Sequence, residues 1–145
     1  MAFGRMDQYL YEFYCSDVKS GRLTKEKAVE LLENVFIKIP EHLNVFDSIA
    51  YEDVVNVCIG GSDVEGNSEV NELSYIVLEA VKNCNVPGPN LSARISENTP
   101  DEFLDECLKV IGTGSGYPTL RRWNIRRYGS KYQQYFSRKT NICYA

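Results

Sequence analysis

One histidine, His42, stands among the 145 residues, and no second ligand lies near it, so a zinc site is not predicted. The five cysteines, Cys15, Cys58, Cys84, Cys107 and Cys143, are odd in number and show no C-x-x-C spacing. That argues against a disulfide framework; three of them fall inside helix or strand patterns and read as buried free thiols. No run of about 18 apolar residues exists, so no membrane helix is predicted. The opening, Met1-Ala2-Phe3-Gly4-Arg5-Met6-Asp7-Gln8, lacks the apolar core of a signal peptide, and a cytoplasmic protein is expected. Acidic residues are missing from one stretch altogether, residues 121–145.

What is present is the composition of an ordinary globular domain, 43% hydrophobic and 25% charged, in a chain long enough to bury a core. The net charge of −4 conceals a division. Residues 1–120 carry all 20 acids and 9 of the 16 Lys and Arg, a net −11, whereas residues 121–145 carry the other 7 bases, a net +7. A switch of sign at one point suggests a segment of separate origin.

Apolar spacing predicts the elements. Residues 6–19 read as a helix with Met6, Tyr9, Leu10, Phe13 and Tyr14 on one face, ended by Gly21. Thr24 is placed to cap a second helix, with Ala28, Leu31, Leu32, Val35, Phe36 and Ile39 at helical spacing until Pro40. The pair is expected to form a hairpin with these stripes in the core, followed by an irregular connection over residues 41–51. Val54–Ile59 is a β-branched run that reads as a buried strand, and a helix with Val70, Leu73, Val77, Leu78 and Val81 follows from about Ser68 to Asn83. Leu91, Ala93 and Ile95 alternate with Ser92 and Arg94, marking a second strand. Thr99-Pro100-Asp101-Glu102 combines an N-cap, a first-turn proline and a capping-box acid. The helix it opens carries Phe103, Leu104, Cys107, Leu108 and Ile111 on one face and stops at Gly112.

The fold class is therefore α/β: a helical hairpin followed by two βα units, whose strands are parallel through a right-handed crossover. Two strands do not make a stable parallel sheet, because such sheets are covered on both faces and need several members. A piece of a larger sheet is expected.

No motif announces chemistry unaided. Gly60-Gly61-Ser62-Asp63-Val64-Glu65-Gly66 lies between a strand and a helix, where phosphates are often held. It fits neither nucleotide-binding glycine pattern, and Asp63 and Glu65 would repel a phosphate, so a tight turn is the plainer reading. Gly112-Thr113-Gly114-Ser115-Gly116 follows a helix, the wrong context for a nucleotide loop. Asp101, Glu102, Asp105 and Glu106 favour the positive end of their helix and form no catalytic pair. Arg94 faces either a lumen or an acid.

Four collinear motifs carry a resemblance: Gly4-Arg5-Met6-Asp7-Gln8-Tyr9-Leu10-Tyr11, Asn71-Glu72-Leu73-Ser74-Tyr75, Pro89-Asn90-Leu91-Ser92-Ala93-Arg94-Ile95 with Thr99-Pro100-Asp101-Glu102-Phe103-Leu104, and Gly114-Ser115-Gly116-Tyr117-Pro118. Over roughly residues 3–120 the chain resembles the large domain of the glycyl radical enzymes, relatives of pyruvate formate-lyase, above all the glycerol/diol dehydratase and choline lyase branch. The resemblance implies that residues 1–120 are a partial segment of a ten-stranded α/β barrel around a buried radical site. It implies a lyase or dehydratase acting on a small polar substrate, with Gly60, Gly61, Asn90 and Arg94 as barrel-lining or loop candidates. No cofactor is expected on this chain; full-length relatives carry a post-translational glycyl radical, installed by a radical-SAM iron–sulfur activating enzyme.

The family's radical glycine sits in an Arg-Val-x-Gly-Tyr-like motif and its thiyl cysteine in a Gly-Cys-Val-Glu-like loop; this sequence has neither. Tyr128-Gly129-Ser130 is not close to the first, and Cys143 lacks the flanking Gly and Glu of the second, so no catalytic residue is assigned and the chain alone is expected to be inactive. The motif-by-motif resemblance stops at Leu120, where the charge also changes sign, as a frameshift or premature break would produce; the beginning, almost inside a family motif, gives the same impression of an internal fragment. Residues 121–145 are expected to form a basic aromatic tail unrelated to the family, frameshifted or disordered, with Arg121, Arg122, Arg126, Arg127, Lys131, Arg138 and Lys139 among Trp123, Tyr128, Tyr132, Tyr135 and Phe136. The alternative function is an interaction module using this tail for nucleic acid or an acidic partner, although a body at −11 opposes a polyanion. Unmatched strand edges and apolar faces are expected to cause self-association.

Overall fold

The computed structural model describes residues 2–42, 55–86 and 89–122. Four strands form one parallel sheet in the order β1-β2-β3-β4: β1 (Ala2–Arg5), β2 (Asn56–Gly60), β3 (Asn90–Ile95) and β4 (Thr119–Arg122). The helices are α1 (Met6–Tyr9), α2 (Tyr11–Lys19), α3 (Lys25–His42), α4 (Glu72–Cys84) and α5 (Asp101–Val110), the last running into a π-type turn over Ile111–Ser115. The two strands expected from sequence are thus joined by two more. Both are four residues long, too short for a period-2 pattern to stand out. β4 crosses the Leu120–Arg121 junction, so the reversal of charge falls inside a strand.

Every connection steps the same way across the sheet, and right-handed crossovers then put the helices on one face. Val57 and Ile59 of β2 and Leu91 and Ala93 of β3 are fully buried against that layer, with Phe36 of α3, Ile76, Val77 and Ala80 of α4, and Phe103 and Cys107 of α5. Tyr75 meets the Phe103 ring edge-on, at 5.7 Å between centroids.

Several boundaries depart from the sequence reading. The helix expected over residues 6–19 breaks at Leu10, and the change of direction turns Tyr9 and Phe13 outward, 50% and 69% exposed, while Met6 and Tyr14 remain buried. Thr24 caps α3 as expected, accepting from the Lys27 amide at 3.3 Å. α3 continues through Pro40 to His42. It buries Ala28, Leu32, Phe36 and Ile39 but leaves Leu31 and Val35 exposed, and it finds its main packing partner in α4, where Asn83 Nδ2 donates to Glu33 Oε1 at 2.8 Å. Thr99 does not cap α5, and Glu102 closes no capping box. The Thr99 hydroxyl instead accepts from the Ser96 amide at 2.7 Å, within the turn that precedes the helix, and Pro100 occupies the cap position. Gly112 is not the stop. The chain enters the left-handed region only at Gly114 (φ 88°) and Gly116 (φ 74°), after the π-type turn. The buried face of α5 is Phe103, Leu104, Cys107 and Val110, with Leu108 and, just beyond the helix, Ile111 half-buried. Cys107 is buried and Cys15, Cys58 and Cys84 are partly so, all free thiols. Val54, the connection from residue 43, and the chain from Trp123 onward, including Cys143, lie outside the described residues.

Candidate functional site

Parallel α/β sheets place their functional groups at the carboxyl ends of the strands, where loops turn back into helices. In this chain three residues of one motif, Arg5, Asp7 and Gln8, reach that end and fasten the loop between β2 and α4. Arg5 ends β1, and its Nη2 lies 2.7 Å from Glu69 Oε2. Gln8 Nε2 donates to the Glu69 carbonyl at 2.9 Å. Asp7 is wholly buried, and its Oδ2 accepts from the Gly60 amide and from Ser74 Oγ, each at 2.6 Å. Its own carbonyl accepts from Asn71 Nδ2 at 3.0 Å.

Asn71 and Ser74 form a reciprocal cap on α4: each side chain accepts the other's backbone N–H at 3.1 Å. Because Asn71 also holds Asp7 and Ser74 also donates to it, helix start, strand end and the N-terminal motif become one network. The motifs Arg5-Met6-Asp7-Gln8 and Asn71-Glu72-Leu73-Ser74, distant in sequence, are thus two halves of one structure. Within the loop, Asp63 Oδ1 accepts from the amides of Glu65 and Asn67 at 2.9 and 2.8 Å. Asn67 chiefly holds the Asp63 carboxyl below its ordinary range. This acid folds its own turn.

Burial pushes the Asp7 carboxyl above the ordinary aspartate range, while hydrogen bonds from Ser74, Gly60 and Gln8 and the nearby Arg5 guanidinium draw part of that back. Its Oδ1 and the buried Arg5 Nε have no hydrogen-bond partner among the described residues.

Register fixes which side chains face away from the helices. Arg94 pairs with Arg121 on that face, whereas Ile59, Ala93 and Leu120 occupy the opposite, helix-covered face; Gly60, at the end of β2 with a left-handed backbone, departs from this alternation. Gly60 (φ 66°) has no room for a side chain, since a Cβ would sit 3.0 Å from the Arg94 carbonyl and 3.2 Å from the Phe103 ring. At Gly61 (φ 106°) a Cβ would meet the Arg5 guanidinium at 3.3 Å and Arg94 Cβ at 3.4 Å. Of the four candidates from sequence, Gly60, Gly61 and Arg94 therefore come together. Asn90 does not: it starts β3 at the opposite end of the sheet, where its side chain accepts from the Tyr117 hydroxyl. Arg5, Asp7, Gln8 and Ser74 were missed as site residues. Their signal was in view, since all four lie in the quoted motifs, but periodicity assigns helix residues only to faces.

Among the described residues, no group of three or more His, Cys, Asp or Glu side chains could hold a metal, and no helix is long and apolar enough to cross a membrane. A groove of about 700 Å³ lies on the outer side between α4 and α5, lined by Lys25, Tyr75, Glu79, Lys82, Glu106 and Lys109 among others. Two ion pairs lie along it, Lys25 3.4 Å from Glu79 and Lys109 2.5 Å from Glu106.

A parallel sheet helix-covered on one face, with a glycine-and-arginine end on the other, fits one strip of a large α/β barrel, and the comparisons agree. The sequence matches the family described as pyruvate formate lyase-like over residues 1–137, and the chain belongs to that family, the glycyl radical enzymes, close to the glycerol/diol dehydratase branch. The match runs past Leu120. The isethionate sulfite-lyase of Oleidesulfovibrio alaskensis is 35% identical over 124 residues, which cover 81% of this chain and 15% of the relative. The trans-4-hydroxy-L-proline dehydratase of Clostridioides difficile is 34% identical, over 81% of this chain and 16% of the relative. The crystal structure of a glycyl radical enzyme from Archaeoglobus fulgidus superimposes with a TM-score of 0.72 at 33% identity, covering 85% of this chain and 16% of that one. The chain thus spans about 15% of the length of the curated relatives it matches.

Proposed function

We propose that this chain serves as a segment of a glycyl radical lyase or dehydratase, supplying four adjacent barrel strands and the locked turn at their carboxyl ends. The observation that carries this reading is the interlock of Arg5-Met6-Asp7-Gln8 with Asn71 and Ser74, which joins two of the family motifs through a buried carboxylate. The reaction is elimination from a small polar substrate in the cytoplasm, as the names of the matching lyases and dehydratases indicate. The partner that installs the radical is a radical-SAM iron–sulfur activating enzyme. The chain by itself is inactive, since neither a radical glycine motif nor a thiyl cysteine motif stands in its sequence. Gly60, Gly61 and Arg94 belong to the barrel-facing end. Exposed Phe13, Leu31 and Val35 favour self-association when the chain is alone.

The test is a graft. Residues 2–122 replace the matching segment of a full-length dehydratase, which is then treated with its activating enzyme under anaerobic conditions. Radical formation with measurable turnover is expected; a soluble graft that takes up the radical and turns over nothing overturns the reading. The chain alone should give no glycyl doublet in electron paramagnetic resonance. For the segment past Leu120, the coding DNA decides: a shifted frame spelling Phe-Asn-Asp and then Gly-Cys-Val-Glu marks a frame change, and its absence makes the basic tail the protein's own.

A further inference from the structure

We infer that Asp7 and Gln8 are positioning residues, which clamp the Gly60–Gly61 turn at the carboxyl end of β2 and so fix the bare backbone that the assembled enzyme presents to its reaction. The turn has little hold on itself. Two successive glycines, at φ 66° and 106°, carry more backbone freedom than any other pair of residues, and neither has a side chain to pack. Their position is therefore set through backbone groups. Asp7 Oδ2 accepts from the Gly60 amide at 2.6 Å, and the same oxygen accepts from Ser74 Oγ at 2.6 Å, so the end of β2 and the start of α4 hang on one atom. Beyond the turn, the Gly61 carbonyl accepts from the Glu69 amide at 2.9 Å. Gln8 Nε2 holds Glu69 in turn, donating to its carbonyl at 2.9 Å.

Two neighbouring residues of α1 thus reach 53 and 61 residues along the chain to brace both flanks of one turn. A wholly buried carboxylate is a costly filler, and an apolar side chain of its volume would pack as well. What the carboxylate adds is direction, since a hydrogen bond fixes both the distance and the angle of the amide it holds. The Gly61 backbone then sits between the Arg5 guanidinium and the Arg94 stem, 3.3 and 3.4 Å from where a Cβ would stand. On the lyase reading, on which the role in turnover rests, this backbone looks into the barrel. Displacing reacting groups there by about 1 Å lowers rates about 100-fold.

The experiment is residue-resolved amide hydrogen exchange on the full chain, in the native sequence, Gln8→Ala and Asp7→Asn. Gln8 is half-buried, and its truncation leaves the hydrophobic core intact. Gln8→Ala should speed exchange at Glu69 about fivefold, as loss of one neutral hydrogen bond does, while Leu91 and Ala93 in β3 stay within about twofold. In Asp7→Asn one side-chain oxygen still accepts both donors, so Gly60 should remain protected. Equal acceleration at Leu91 and Ala93, no acceleration at Glu69, or loss of Gly60 protection in Asp7→Asn overturns the clamp. The graft into a full-length dehydratase supplies the second readout. There Gln8→Ala should lower kcat about tenfold at constant KM, and an undiminished kcat overturns the positioning role. A graft that is inactive before any substitution overturns the lyase reading instead, and the exchange rates still decide the clamp.

Discussion

The two ends of charge around α4 are built from the same residue types and have opposite physical weight. At its amino end, Asp7 is enclosed, shared between Gly60 and Ser74, and backed by Arg5. Along its outward flank, Lys25 pairs with Glu79 at 3.4 Å and Lys109 with Glu106 at 2.5 Å in the open groove. Water and salt screen the second set, and ordering long side chains offsets most of their attraction. In the first set, removing one group strands others where water cannot reach them. Distance alone does not rank a polar contact; enclosure does.

The largest way to break this contrast is Asp7→Ala, which leaves the Gly60 amide and the Ser74 hydroxyl without their acceptor. A loss of about 3 kcal/mol in urea unfolding is expected; a loss below about 1 kcal/mol would place the network on a par with the groove. Next is Gly60→Ala. A left-handed backbone and a Cβ pressed on the Arg94 carbonyl and Phe103 should cost about 2 kcal/mol by the same measurement.

The pH dependence sharpens the comparison. Since the folded pKa of Asp7 lies above the unfolded value of about 3.9, the neutral carboxyl favours the fold. Its contribution is whole below about pH 4 and is lost as pH rises through the folded pKa. Asp7→Asn removes this titration, so the stability of the native chain relative to Asp7→Asn should fall as pH climbs from 4. A relative gain over that range would show that the ionised form is the favoured one. The smallest effect belongs to Lys25→Ala, expected at less than about 0.5 kcal/mol and vanishing in high salt.

Much of the scaffold was legible because periodicity reports burial. Leu91, Ala93 and Ile95 alternate, and Leu73, Val77 and Val81 repeat at helical spacing, so β3 and α4 fell within a few residues of their observed bounds. β1 and β4 were not, since a four-residue strand offers two side chains to each face. Thr99 was misread because a threonine before a proline serves a turn as readily as a cap. The turn at the sheet's end was legible only in part. Gly60 and Gly61 advertise a special backbone, but the acceptor that fixes Gly60 lies 53 residues earlier, and no local pattern links the two.

That separation has a consequence in time. Ser74, the second partner of Asp7, leaves the ribosome 67 residues after it. At about 5–20 residues per second, a carboxylate destined for complete enclosure stays hydrated for about 3–13 seconds before its final hydroxyl arrives. β1 therefore cannot be sealed before α4 begins. It must wait, loosely held, for the start of α4.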